Sequence, residues 1–318
     1  MPEWLVERGI GETRAALVDS GEIVEAWIEL DRANPAGTVV AARLVDCGRN
    51  SRNAVARDES GVEYLLPRGA ASLTEGALIN VEVTRGAIPG AEPWKRSLAR
   101  ATDESPREAP RLSGRELPFP SPADELGGAG WNDLIDEARS GLVQFEGGEL
   151  RVSVTPAMTL FDVDGYLDRE ELAVRGAGEA ARAIRRLDIG GSIGIDLPTS
   201  GSKAARQAAA AATDKQLPQP FERTAVNGFG FLQIVRPRSR ASLIELAQDR
   251  AAFEARTLLR RAAFEGPGPK LLVAHPAVIA VLAGRSDWTV TLSRQIGGAV
   301  SLRADAALPM SGGYAESH

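Results

Sequence analysis

The sequence holds one cysteine, Cys47, and two histidines, His275 and His318. A single cysteine excludes an intrachain disulfide and any multi-cysteine zinc site within one chain. Two histidines leave no His-rich metal site and no paired-histidine acid–base chemistry. Any chemistry must therefore rest on carboxylates, arginines, lysines or hydroxyls. Aromatic residues make up only 5%, so stacking surfaces are scarce. No run approaches the roughly 20 apolar residues of a membrane span, and no basic-then-apolar leader opens the chain. The expectation is a soluble, cytoplasmic protein that does not contact membranes. What is present is ordinary globular material: 318 residues, 43% hydrophobic and 25% charged, enough for two or three domains of roughly 100–200 residues.

The net charge of −6 hides an asymmetry. Residues 101–150 carry eleven acidic and four basic residues, a net of −7, whereas 221–261 carry eight arginines and four acids, a net of +4. The arginine-rich stretch has enough positive charge to hold a phosphate backbone, or it is a solvated helix.

Short apolar runs over 4–30, separated by turn residues such as Asp19-Ser20-Gly21-Glu22, read as two or three strands. From 36 to 100, Thr38–Val40, Ala54–Ala56, Tyr64–Leu66 and Ile79–Val83 recur between Gly, Asn and Pro, the pattern of a small barrel. Residues 101–130 are rich in Pro, Gly, Ser and charge and read as a linker. Leu150, Val152 and Val154 then alternate with polar residues, and Thr159–Gly165 is a second strand. A helix over about 169–187, a strand Ser192–Leu197 and a helix Lys203–Gln216 follow, which predicts parallel strands joined by a helical crossover. Thr224–Val235 reads as a strand pair. Ser242 and Glu245 have capping-box spacing ahead of one long helix to about 264. The tail reads strand 270–274, helix 276–283, strand 288–293 and strand 299–304.

Asp162 and Asp164 stand two apart on a predicted strand and share one face. Asp196 ends the neighbouring parallel strand, at the edge where α/β sheets usually place ligands. Three such acids either converge on a cation, magnesium or manganese given oxygen-only ligands, or cap the following helix and turn. Arg236, Arg238 and Arg240 alternate and share a face if extended, which suits phosphate contact or plain solvation.

At these residues the chain resembles the ribonuclease E/G family of RNA endonucleases. Thr159-Leu160-Phe161-Asp162-Val163-Asp164-Gly165 resembles the family's TAIDVNTG strand. The run from Ala180 through Arg185-Arg186-Leu187-Asp188-Ile189-Gly190-Gly191 to Asp196 resembles IARQLRLRNLGGIIIIDF. Glu222-Arg223-Thr224-Ala225-Val226-Asn227-Gly228-Phe229, followed by Arg236–Arg240, resembles VKTSVNGF and MTRKRTR. Order and spacing agree over about 85 residues, far more than a lone motif offers.

The resemblance implies an α+β or α/β chain with an RNase H-like fold, an inserted OB-type RNA-binding barrel and a DNase I-like catalytic region. Its parts would be N-terminal strands over 1–35, the barrel over 36–100, an acidic linker over 101–140, the catalytic region over 141–265 and a small C-terminal α/β domain over 266–318. It implies Mg²⁺-dependent cleavage of single-stranded RNA to 5′-phosphate and 3′-hydroxyl ends, in RNA processing or decay. Asp162 and Asp196 would hold the metal, Mg²⁺ or Mn²⁺, Asp164 would orient water and Arg223 would stabilise the transition state. Tyr64 would stack a base, and Lys95, Arg236, Arg238 and Arg240 would contact phosphates.

Three departures stand out. The acidic 101–140 takes the place of the family's 5′-monophosphate sensor. The family's zinc-bridging cysteines are missing, so self-association would need an interface without zinc. Asp164 stands where the family has Asn. These changes motivate the alternative of a non-catalytic RNA-binding protein that keeps the fold.

Overall fold

A computed structural model describes residues 1–31, 34–48, 53–67, 69–70, 73–89, 95–121 and 123–317. The chain divides into two units, one built from 1–31, 113–139 and 246–318, the other from 32–112 and 140–245. Sheets, helices and a closed barrel mix in an α+β architecture.

The first unit begins with strands β1 (Glu3–Arg8), β2 (Glu12–Asp19) and β3 (Glu22–Leu30), which pair antiparallel in sequence. Runs of three consecutive residues are buried in each, 5–7, 14–16 and 26–28, so both faces of this sheet are partly covered. In the second unit a barrel follows: β4 (Val39–Asp46), β5 (Ala54–Arg57), β6 (Glu63–Leu66), β7 (Leu78–Arg85) and β8 (Ser97–Thr102) close in the order β4-β5-β6-β8-β7. Every pair is antiparallel except β6 with β8, and the pairing closes without an edge. Ala42, Leu44, Ala54, Ala56, Tyr64, Val81 and Val83 fill it. Cys47 is buried among them as a small core residue.

The stretch expected as a linker over 101–140 is instead structured at its C-terminal half. β9 (Arg115–Leu117) adds parallel to β1, giving the sheet order β3-β2-β1-β9. Helices α1 (Glu125–Gly128) and α2 (Trp131–Ser140) follow. Trp131, Leu134, Ile135 and Ala138 are buried, a 3–4 spacing hidden in the acidic composition.

Within the second unit, β10 (Leu142–Phe145), β11 (Gly148–Val154), β12 (Thr159–Gly165), α3 (Arg169–Arg186), β13 (Gly191–Asp196), α4 (Lys203–Gln216), β14 (Glu222–Arg223) and β15 (Phe231–Arg236) build a six-stranded sheet ordered β10-β11-β12-β13-β15-β14. β12 and β13 are parallel, joined through α3 as the sequence predicts. Asp168 caps α3 by accepting from the Glu170 N–H, and Ser202 caps α4. At Gly176 a Cβ would stand 2.3 Å from Val163 Cγ1, so this glycine lets α3 settle onto β12.

The predicted long helix is split into α5 (Leu243–Gln248) and α6 (Arg250–Phe264) at Asp249. The Ser242–Glu245 capping box forms as its spacing predicts. In the first unit, α6 packs with β16 (Lys270–Ala274), α7 (Pro276–Ala283), α8 (Ser286–Ile296) and β18 (Tyr314–Ser317), and β17 (Val300–Ala304) lies against β16, α7 and α8. Residues 288–293, expected as a strand, lie in α8. Trp288, Leu292 and Ile296 at fourfold spacing bury one stripe there, which overrides the β-branched Thr289-Val290-Thr291.

This unit also contains a buried ionic network. Arg14 donates to Glu7 and Glu12, both at 2.7 Å, and Arg256 donates to Glu12 at 2.7 Å. Arg260 holds Glu7 at 2.9 Å and Asp124 at 2.6 Å.

Candidate functional site

Phe161, Val163, Ile193 and Ile195 point into the core, so Asp162, Asp164 and Asp196 emerge on the opposite, open face of the sheet. Register fixes their order. Arg151 on β11 faces Asp162, Asp162 faces Asp196, and Asp196 faces Phe231 on β15. One transverse row therefore reads Arg151, Asp162, Asp196, Phe231. Asp164 lies two residues further along β12, opposite Glu149. Gly194 opens the row below: a Cβ there would meet the Phe231 ring at 2.5 Å and Leu160 Cδ2 at 2.8 Å. Its bare backbone lets both apolar groups close beside the aspartates.

Four carboxylates share this face, Glu149 with the three aspartates, and Arg151 opposes them, its Nε 3.8 Å from Asp164 and its Nη2 2.7 Å from Glu149. Partial desolvation, then the charges of Asp164 and Asp196, raise the Asp162 pKa above the ordinary carboxylate range, and Arg151 opposes the rise. The donor set is oxygen only, which fits a hard divalent cation. Asp162 and Asp196 stand side by side in register. The side-chain oxygens of the three aspartates are not all within 4.8 Å of one another; among the described residues the group that meets this spacing is Asp46, Cys47 and Glu75 in the barrel. There the Cys47 thiol already donates to Glu75 at 3.5 Å and Asp46 accepts from the Gly48 N–H at 2.7 Å.

The other expected site residues lie elsewhere. Arg223 pairs in register with Ile234, which shares the helix-covered face with Ile193. Its guanidinium is clamped on Asp214 of α4 at 2.5 Å, on the far side of the sheet from the aspartates. Arg236 and Arg240 both bind Asp188, at 3.3 and 3.0 Å, and Arg238 binds Glu245. The alternating arginines thus fasten the chain after β15 to the end of α3 and the start of α5, which removes them as a ready phosphate track. Tyr64 is fully buried in the barrel core, so its ring cannot stack a base. Lys95 donates to the Pro156 carbonyl at 3.5 Å, at the N-terminal end of β12. Thr159 and Asp162 are three strand residues apart, about 10 Å at 3.3 Å per residue, which puts Lys95 at the other end of the sheet.

Sequence reasoning misses Arg151, Tyr166 and Phe229. The alternation of Leu150, Val152 and Val154 already turns Arg151 away from the core, but only register sets it against Asp162. Tyr166 and Phe229 are bare, at 84% and 82% exposure. No family model matches this chain, and no curated protein matches it.

Proposed function

We propose that this protein is a metal-dependent endoribonuclease acting on single-stranded RNA in the cytoplasm. The observation that carries the reading is the row Arg151, Asp162, Asp196, Phe231 with Asp164 beside it, three carboxylates gathered on an open sheet face at the C-terminal ends of two parallel strands. Asp162 and Asp196 would hold Mg²⁺ or Mn²⁺. When bound, such an ion polarises a phosphate and makes a nearby water a better nucleophile. Asp164, two residues beyond, would accept a proton from that water. Arg151 replaces Arg223 as the cation for charge developing on the scissile phosphate; it is 59% exposed, and its ion pair with Glu149 keeps it beside the aspartates. Products would carry 5′-phosphate and 3′-hydroxyl ends.

The wider architecture supports this reading. Barrel order β4-β5-β6-β8-β7 with one parallel pair suits an OB-type RNA-binding module. A three-strand meander with a fourth strand parallel to the first, β3-β2-β1-β9, suits an RNase H-like sheet. The open six-stranded sheet would then be the DNase I-like part. No helix among the described residues is long and apolar enough to cross a membrane.

The second reading, a non-catalytic RNA-binding protein, is favoured by the wide spacing of the aspartate oxygens, which do not form a tight three-carboxylate cluster. One assay separates the two. End-labelled single-stranded RNA incubated with the protein should be cut in Mg²⁺, left whole in EDTA, and left whole by Asp162→Asn. RNA that is bound and never cut would establish the second reading.

A further inference from the structure

Apart from the terminal Met1, Tyr166 and Phe229 are the most exposed large apolar side chains among the described residues. In a chain with so few aromatics, both stand at the same end of the same sheet. Tyr166 follows the last residue of β12, and Phe229 lies two residues before β15. β12 and β15 flank β13, whose end carries Asp196. Two interstrand spacings, about 10 Å, therefore separate the strands that carry the rings.

Both rings are bare, yet the backbone beneath each is fastened. Asn227 Oδ1 accepts from the N–H groups of Phe229 at 2.9 Å and Phe231 at 3.0 Å, and the Thr199 hydroxyl donates to the Phe229 carbonyl at 3.0 Å. Gly230, at φ +93°, lies so close to Leu197 that a Cβ would sit 2.2 Å from its carbonyl oxygen. The Tyr166 N–H donates to the Gly147 carbonyl, and at adjacent Gly165 a Cβ would stand 2.4 Å from that same carbonyl. A fixed backbone under an exposed ring lowers the ordering cost when a ligand covers it. At the same end of the sheet, beside the start of α3, lies a groove of about 710 Å³ lined by Gly165, Asp168, Arg169, Glu170, Thr199 and Ser200.

We infer that Tyr166 and Phe229 are stacking platforms for two unpaired bases of a single-stranded RNA, one on each side of the strand that ends at Asp196. The inference rests on the reading of this face as an RNA-cleaving site and adds how the strand is gripped there. Rings suit this place because the face itself is acidic: three aspartates repel phosphate, whereas a π-face attracts any base regardless of sequence. Grip through bases also depends little on salt, unlike phosphate contact.

The test is fluorescence anisotropy with a labelled single-stranded RNA octamer and an octamer of the same length and charge lacking its bases, both in EDTA so that no cleavage occurs. The intact octamer should bind, the abasic one at least about 10-fold more weakly, and Tyr166→Ala or Phe229→Ala should each weaken the intact octamer about 10-fold. Tyr166→Phe and Phe229→Trp should bind like the natural protein. Equal affinity for the two octamers, no binding of either, or alanine variants within twofold would overturn the inference. A parallel cleavage assay of Asp162→Asn in Mg²⁺ keeps the two ideas apart. Loss of cleavage there with unchanged alanine variants sinks the stacking inference alone; stacking without any Mg²⁺-dependent cleavage sinks the nuclease reading alone.

Discussion

Carboxylates gather in both units, under opposite terms. In the unit built on 1–31, 113–139 and 246–318, Glu7, Glu12 and Asp124 are met by Arg14, Arg256 and Arg260 at hydrogen-bond distance. Glu7 and Arg14 are nearly inaccessible, and three arginines match three acids. On the open sheet face of the other unit, Asp162, Asp164 and Asp196 have Arg151 against them, and they stay in water. Matched charges inside a protein fix geometry. Unmatched charges on an open face cost stability, and groups so placed concentrate at functional sites in proteins generally.

The sharpest way to break that contrast is to remove one partner in each place. Arg260→Ala should lose about 3–5 kcal/mol of stability, because Glu7, Glu12 and Asp124 are then left to two arginines and one buried negative charge stays unmatched. Urea denaturation would show it, and a loss below about 1 kcal/mol would mean the network is idle. Asp162→Asn should do the reverse. Cleavage should fall by about 10²–10³-fold, the scale of losing one fixed electrostatic contact to the reacting group, with folding intact.

Asp162→Asn also carries a pH signature. The folded pKa of Asp162 lies above its unfolded value, so the folded protein holds the proton more tightly. Its contribution favours folding at low pH and is lost as pH rises from the ordinary carboxylate range through the raised pKa. In EDTA the urea midpoint of the natural protein should therefore decline over that window relative to Asp162→Asn. A parallel course for the two proteins would show that neither partial burial nor the neighbouring aspartates raise the Asp162 pKa.

The same contrast explains what is legible in the sequence. Alternation in β11 and β12 and the helix Lys203–Gln216 are set by local pattern, so the shared face of Asp162, Asp164 and Asp196 can be read from residue order. Arg223 cannot be placed that way because a two-residue strand has no pattern; its face depends on pairing with Ile234. Arg236, Arg238 and Arg240 read as a phosphate track because their acids, Asp188 and Glu245, lie up to 52 residues away in sequence. The acidic composition around Trp131–Ala138 hides its apolar stripe. Tyr166 and Phe229 give no signal at all, since exposure of a ring is a tertiary property.

A smaller effect separates the two arginines. Arg151→Ala should slow single-turnover cleavage about 10-fold with little change in RNA affinity, because its partner charge grows only in the transition state. Arg223→Ala should leave cleavage alone and lose no more than about 1 kcal/mol, since Asp214 is half exposed. If Arg223→Ala slows cleavage and Arg151→Ala does not, the helix-covered face takes part in the reaction and the open face is misassigned.

The smallest effect is expected at Tyr64, and it tests where RNA meets an aromatic ring. The Tyr64 hydroxyl donates to Asp58 Oδ2 at 2.8 Å and accepts from Asn34. Burial and the neighbouring Asp58 push its pKa upward, so it stays a neutral donor. Asp58 also accepts from the Ser60 and Val62 N–H groups and the Ser60 hydroxyl. Losing the tyrosine donor therefore leaves that carboxylate well served. Tyr64→Phe keeps the buried ring and should lower stability by only about 1 kcal/mol, the net worth of one hydrogen bond. RNA affinity should not change, because no base can reach the ring. A folded Tyr64→Leu protein, which loses the ring, that binds single-stranded RNA tenfold more weakly would return the stacking role to the barrel and take it from Tyr166 and Phe229.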